Sequence, residues 1–362
     1  MTQTHPEQRI KNLLRLVAQQ NASDLHLTVG RYPTLRIDGK LIPLTKEEIL
    51  TPADTQALGS VILNEQNKKK LIAEGQVDFS YNLEDKVRFR INAFFQQGRL
   101  SIAFRMIPKE IRNLKELNLP EILYDFANHA QGLVLLVGPV GHGKSTTLAA
   151  LINYINHNQE KNIVTIEDPI EYVYEQDKCI ISQREVYQDT QSFNLALKAV
   201  FREDANVILV GEMRDLETIS AALTIAETGH LVFGTLHTPD AVQAINRIID
   251  VFPAHQQQQV RAQISFVLQA VIAQQLLQRA YSSGRCLAAE ILIVNAAVRN
   301  LIREEKVHQI YSIMQTGTEY GMRTMNQSLA ELYQKQLVTY NEIFARTTDP
   351  KDLQRLVTAK GI

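Results

Sequence analysis

The sequence predicts an α/β chain in which a small α+β module precedes a larger domain built on a mainly parallel sheet. Up to residue 106, short segments alternate apolar and polar residues, as strands with one buried face do. Beyond Leu119, apolar runs at 133–137, 163–166, 207–211 and 231–235 lack that alternation and are separated by helical or loop stretches. Strands buried on both faces of a parallel sheet with helical crossovers read this way. A length of 362 residues fits about two domains. The expected division is 1–106, a linker at 107–118 and a second domain at 119–362.

In order along the chain, Asp24-Leu-His-Leu-Thr-Val29 alternates after a helix-like opening, and Leu35 to Ile42 holds an Asp38-Gly39 turn between two short strands. Val87, Phe89, Ile91 and Ala93 then alternate with Arg88, Arg90 and Asn92. Leu100, Ile102, Phe104 and Met106 alternate with Ser101, Ala103 and Arg105. A hairpin about Gln97-Gly98 would put Arg90 directly opposite Arg105 on the polar face, a like-charge pair that costs up to ~1 kcal/mol. Either the two splay apart in solvent, or they share an anion such as a phosphate. Ile107 to Pro120 reads as the interdomain linker with a helical turn. The run His255 to Val260 is short and shares helical spacing with Ile264 and Val267, so it reads as a helix face.

Composition excludes several classes. A net charge of −1 gives no overall electrostatic case for nucleic acid or an anionic membrane. Cys179 and Cys286 lie far apart without C-x-x-C spacing, which speaks against a zinc ribbon or disulfide framework and fits a reducing compartment. No basic and apolar leader pattern opens the sequence, and no stretch approaches the ~20 apolar residues of a membrane span, so no direct membrane insertion is expected.

The chemistry centres on GPVGHGKSTT, Gly138 to Thr147. Gly138, Gly143, Lys144 and Ser145 meet G-x-x-x-x-G-K-[ST], with Gly141 and Thr146 in the same loop. Glycines let backbone N–H groups curl around a pyrophosphate, the lysine reaches the outer phosphates, and the serine hydroxyl ligates Mg²⁺. A buried strand before the loop and a helix after it supply the context the motif needs, with phosphate at a helix N-terminus. The strand-like run ending at Ile166 leads into Glu167-Asp168, and the run ending at Val210 leads into Gly211-Glu212. Ligands in open parallel sheets gather at the carboxyl ends of strands, so these acids converge on the rim that holds the loop. Glu212 suits the Mg²⁺ shell, and Glu167 suits a group that orients and deprotonates water. His230 and His237 bracket a further strand and are candidates to sense the γ-phosphate or touch the acids. His142 is expected to matter through its backbone rather than its ring. With no Asn-Lys-x-Asp base reader, ATP is the preferred nucleotide.

TIEDPIE (165–171), QREV (183–186), ILVGEMRD (208–215) and AETGHLVFGTLHT (226–238) behind a GKSTT loop resemble the type IV pilus retraction ATPases, the PilT family, within the wider secretion ATPase superfamily. NASDLHL (21–27), FRIN (89–92), IDVFP (249–253) and VRNLIREEKVHQIYSIMQTG (298–317) extend the resemblance along the chain. It implies a PAS-like N-terminal domain, a RecA-like P-loop ATPase domain with C-terminal helices, and a homohexamer that turns ATP hydrolysis into pilus disassembly. It implies cytoplasmic placement at the base of the pilus machine, an inner-membrane platform protein as partner and a possible paralogous retraction ATPase. By position, it makes Lys144 and Ser145 phosphate and Mg²⁺ ligands, Glu167 the catalytic base, Glu212 the acid of an atypical Walker B, and His230 and His237 a histidine pair. Arg90 and Arg105 become arginine fingers toward a neighbouring subunit's nucleotide. Val298, Leu301 and Ile302 predict an amphipathic helix with Arg299, Arg303 and Glu304 outward, which the resemblance makes necessary for retraction rather than hydrolysis.

The loop departs from the family's usual G-P-[TS]-G-S-G-K-S-T-T at Val140 and His142, and Ala205 replaces a proline before the strand leading to Glu212. The alternatives are a pilus-extension or type II secretion ATPase, whose relatives carry further N-terminal sequence and often a four-cysteine insertion, or a nucleotide-binding scaffold for an active paralogue. A nucleic-acid translocase on the same core is the remaining one.

Overall fold

The alternating segments of the first third of the chain build one antiparallel sheet in the computed structural model, which describes residues 5–37, 39–84, 87–107, 110–282 and 284–358. Asp38 of the expected turn, and Pro108 and Lys109 of the expected linker, lie outside the described residues. The chain divides into two compact units, Met1–Glu110 with Asp168–Val173, and Ile111–Glu167 with Tyr174–Ile362.

The first unit contains α1 (Pro6–Gln19), β1 (Asp24–Leu27), β2 (Thr34–Ile37), β3 (Lys40–Pro43), α2 (Pro52–Ile62), α3 (Glu65–Glu74), β4 (Gln76–Leu83), β5 (Val87–Gln96) and β6 (Arg99–Ile107). The sheet runs β3-β2-β1-β6-β5-β4 with antiparallel neighbours. Phe89, Ile91 and Ala93 of β5 and Leu100, Ile102 and Phe104 of β6 are buried with Ile10, Leu14 and Leu58 of the helices. Gln97 and Gly98 both have positive φ, 49° and 71°, the backbone a two-residue hairpin loop requires. The expected register holds, with Arg90 paired to Arg105.

The second unit begins with a single turn, Leu117 N–H to Asn113 O, closed by reciprocal bonds between Asn113 and Glu116. It continues through α4 (Ile122–Ala127), β7 (Gly132–Val137), α5 (Lys144–Asn158), β8 (Asn162–Glu167), β9 (Ile180–Glu185), α6 (Phe193–Val200), β10 (Val207–Val210), α7 (Leu216–Glu227) and β11 (Leu231–Leu236). After α8 (Ala241–Asp250) and α9 (Ala254–Val267) come β12 (Leu268–Gln278) and β13 (Arg285–Ile293). The chain closes with α10 (Ala296–Arg303), α11 (Ile310–Thr316), α12 (Met325–Gln334), α13 (Tyr340–Phe344) and α14 (Pro350–Thr358).

The sheet order is β13-β12-β7-β11-β10-β8-β9, parallel except where β13 meets β12. β7, β10 and β11 are buried throughout, as their unalternating sequences require. Glu290 on β13 is buried and accepts the N–H groups of Ala241, which opens α8, and Met325, which opens α12. Burial pushes its pKa up to about 7. Among the described residues, no helix is long and apolar enough to cross a membrane.

The helix expected at 298–304 forms as α10, capped by Asn295, with Val298 and Ile302 buried. On its polar face Arg303 and Glu304 are exposed as expected, and Arg299 differs. Arg299 is half-buried rather than outward, with its Nε out of solvent. Arg303 lies 5.9 Å over the Phe266 ring of α9, and exposed Glu304 accepts from Asn300 and Lys306.

Candidate active site

The phosphate loop forms where β7 ends and α5 begins, so backbone N–H groups of the first helical turn point out of the carboxyl edge of the sheet. Three loop glycines have positive φ: Gly138 at 136°, Gly141 at 78° and Gly143 at 86°. A Cβ on Gly138 would run into the Gln274 carbonyl oxygen of β12. Gly138→Ala therefore combines a collision with disfavoured backbone, and we expect a cost of about 1–3 kcal/mol. Gly141→Ala, with nothing within 4 Å of its Cβ, meets only the backbone penalty. Thermal unfolding and ATP-analogue binding check the difference, and equal behaviour of the two variants would count against this placement of β12 under the loop.

Lys144 is 8% exposed, and its ammonium donates to the Gly138 carbonyl at 2.6 Å and the Pro139 carbonyl at 3.0 Å. Its Nζ is also 3.4 Å from His237 Nδ1. His237 Nε2 in turn is 3.0 Å from Glu212 Oε1, which Arg214 also contacts through Nε. Lysine donation to Nδ1 leaves Nε2 as the ring donor to the carboxylate. Lys144, His237, Glu212 and Arg214 therefore form one chain along the rim.

Glu167 ends β8 beside them. Because Val210 pairs with Ile166 and Gly211 N–H bonds to the Ile166 carbonyl, Glu212 follows one residue beyond the level of Glu167. The Glu167 carboxylate accepts from Thr165 Oγ1 at 2.7 Å and Gln183 Nε2 at 3.3 Å, contacts that fix its direction. Thr165, Gln183 and Arg214 do not stand out by spacing, although each lies inside a motif that carries the resemblance. Ser145 is exposed at the start of α5, Thr146 is half-exposed behind it, and Thr147 Oγ1 accepts from Gln274 Nε2 at 2.8 Å.

The histidines separate. β11 is parallel to β7, and six extended residues span roughly 20 Å, so His230 and His237 occupy opposite ends of the sheet. His230 Nδ1 lies 3.1 Å from the Ile225 carbonyl and 3.2 Å from Thr228 Oγ1, with its ring edge-on to Phe201. Of the pair expected beside the acids, the structure brings only His237 there.

Arg90 and Arg105 belong to the first unit. Each has its own carboxylate: Arg90 Nη1 to Glu171 Oε1 at 3.0 Å, and Arg105 Nε to Asp24 Oδ1 at 2.9 Å. Each of the adjacent like charges thus meets an acid of the same unit. Asp24 also lies 3.7 Å from Arg36.

A glycine loop between a buried parallel strand and a helix, with carboxylates at the ends of β8 and β10 on the same rim, defines a P-loop protein of the parallel α/β class. The chain belongs to the Type II/IV secretion system protein family, whose pattern residues 3–345 match. The Type IV pilus retractation ATPase PilT of Pseudomonas aeruginosa is 46% identical over 335 residues, covering 91% of this chain and 95% of that protein. A twitching motility protein of Neisseria gonorrhoeae is 46% identical over 329 residues, 91% of this chain and 88% of its own length. A crystal structure of the pilus retraction motor PilT with bound ADP superposes with a TM-score of 0.88 at 48% identity, covering 96% of this chain and 99% of that one.

Proposed function

We propose that this chain is an ATP-hydrolysing motor that drives type IV pilus retraction. The observation that carries the proposal is the meeting of the phosphate loop, Glu167 and the Glu212–His237 pair on one rim, in a chain similar almost end to end to a retraction ATPase. In this reading the loop N–H groups and Lys144 hold the outer phosphates of ATP. The oxygen donors Ser145 and Glu212 suit Mg²⁺, which when bound offsets phosphate charge. Glu167, aimed by Thr165 and Gln183, accepts a proton from the water whose oxygen bonds to the γ-phosphorus as the bond to the bridging oxygen breaks. The products are ADP and phosphate.

His237 holds Glu212 in place, and His230 takes no part in the chemistry. Arg90 and Arg105 leave their carboxylate partners to meet developing charge on a nucleotide in a neighbouring subunit of a homohexamer. The half-exposed Arg90–Glu171 pair is worth about 0–1 kcal/mol, so that exchange is energetically small, whereas release of Arg105 leaves the buried Asp24 carboxylate with Arg36 at 3.7 Å. The motor works on the cytoplasmic side against an inner-membrane platform protein, with or without a paralogous ATPase.

The experiment counts surface pili and measures twitching in cells lacking the gene, complemented with the wild-type chain. Abundant pili without spreading, reversed by the wild-type gene, is the expected result. Loss of pili would instead indicate an extension or secretion motor.

A further inference from the structure

We propose that the ring of His142 is a positioning residue for ATP, latching the phosphate loop to β12 through its Nδ1 atom; the proposal rests on the ATPase reading above. His142 Nδ1 accepts the Leu276 N–H at 3.0 Å. The donor exists for a topological reason. β12 runs beside β7 only as far as the pair Ala273 and Val137, after which β7 turns into the loop and β12 continues to Gln278. β13 still pairs with that continuation on one edge, but a backbone N–H on the β7 edge needs a new acceptor, and for Leu276 the imidazole supplies it.

The same hairpin meets the loop elsewhere. Gln274 O packs against the Cα of Gly138, Arg285 Nη1 reaches the Gly141 carbonyl at 3.3 Å, and Gln274 Nε2 bonds to Thr147 Oγ1 at 2.8 Å. His142 fixes the segment immediately before Gly143, whose left-handed backbone sets the direction of the helix N-terminus. Serine, the residue more usual at this position among the proteins the sequence resembles, is one bond too short to place an acceptor where Nδ1 lies.

The latch requires an unprotonated Nδ1, because an imidazolium has only donors. Burial, followed by the charges of Arg346, Lys144 and Arg285, holds the His142 pKa below the ordinary histidine value. Arg346 is itself paired with Glu342. Burial and the neighbouring charges both favour the neutral ring that the latch needs. As pH falls through the range in which it takes up a proton, the Leu276 bond is lost and the loop loosens.

The test compares wild type, His142→Ala and His142→Asn in the full chain. Asparagine Oδ1 stands the same number of bonds from Cβ as Nδ1 and accepts without titrating in this range. We expect His142→Ala to raise the KM for ATP about three- to tenfold, the effect of one lost hydrogen bond, with kcat within about twofold. His142→Asn restores KM, and its KM does not share the additional rise that wild type shows on acidification. Hydrogen exchange at the Leu276 amide without nucleotide reads the latch directly: protected in wild type and His142→Asn, faster in His142→Ala. An unchanged KM in His142→Ala, or no rescue by asparagine, overturns the proposal. A wild-type chain that does not hydrolyse ATP at all overturns the ATPase reading and the ATP role of His142 with it, while the exchange data still report whether the contact forms.

Discussion

Glu167→Gln hydrolyses ATP about 10²–10⁴-fold more slowly than wild type while binding it with affinity within a few-fold, the loss expected when a positioned general base becomes a neutral amide. The substitution is nearly isosteric. Thr165 and Gln183 still have an oxygen to hold, so the side chain keeps its place and loses mainly its capacity to take a proton. Steady-state hydrolysis together with nucleotide binding under single-turnover conditions separates the two effects. A variant that turns over normally would move the base to another carboxylate, and one that fails to bind would make Glu167 a binding residue.

Arg90→Ala and Arg105→Ala each lower kcat by about 10³-fold or more if both act as arginine fingers, the lower end of what such residues supply in GTPases. The two differ in what they leave behind. Removing Arg105 leaves Asp24, only 9% exposed at its side chain, with Arg36 at 3.7 Å as its remaining cation, so a modest fall in stability accompanies the kinetic loss. Removing Arg90 frees a half-exposed Glu171 that solvent can reach, and stability changes little. Mixing experiments decide where the fingers act. If they reach across a subunit boundary, rings assembled from Arg105→Ala and Glu167→Gln chains regain hydrolysis, because an intact base then meets an intact arginine at some interfaces. Absence of recovery would place the arginines at their own subunit's nucleotide, and wild-type rates in both single variants would remove the assignment.

Much of the fold could be read from the chain because two periodicities are unambiguous in it. The period-two alternation around Phe89 and Phe104 fixes which faces of β5 and β6 are inward, and the short turn then determines the pairing of Arg90 with Arg105. The unbroken apolar runs of β7, β8, β10 and β11 announce buried parallel strands. β12 was not legible. LQAVIAQQLLQ is rich in leucine, alanine and glutamine, which favour helices, and a strand buried between two neighbours carries no alternation to oppose that preference. β12 sits in the sheet because β7 and β13 flank it, a fact no local window contains.

The site divides along the same line. Loop residues and strand-end acids are visible because their chemistry is tied to spacing. The ring of His142 gained its partner from a strand 134 residues later. His230 and His237 look equivalent as neighbours of one strand, yet the direction of that strand sends them to opposite ends. Arg299 looks solvent-facing from helical spacing alone, yet it is half-buried in the fold.

The pairing of Arg90 with Arg105 also constrains how this sequence can change length. Between Arg90 and Arg105 the two strands form an uninterrupted ladder down to Gln96 and Arg99, closed by two turn residues. One residue inserted within either strand would rotate everything beyond it by half a period, turning Ile91 or Phe104 to the solvent and an arginine toward the core. Insertions in homologous chains should therefore be confined to the Gln97-Gly98 tip or compensated by a bulge. The spacing from FRIN to the second arginine acts as a ruler that lineage drift can lengthen only at the hairpin tip or through a compensating bulge.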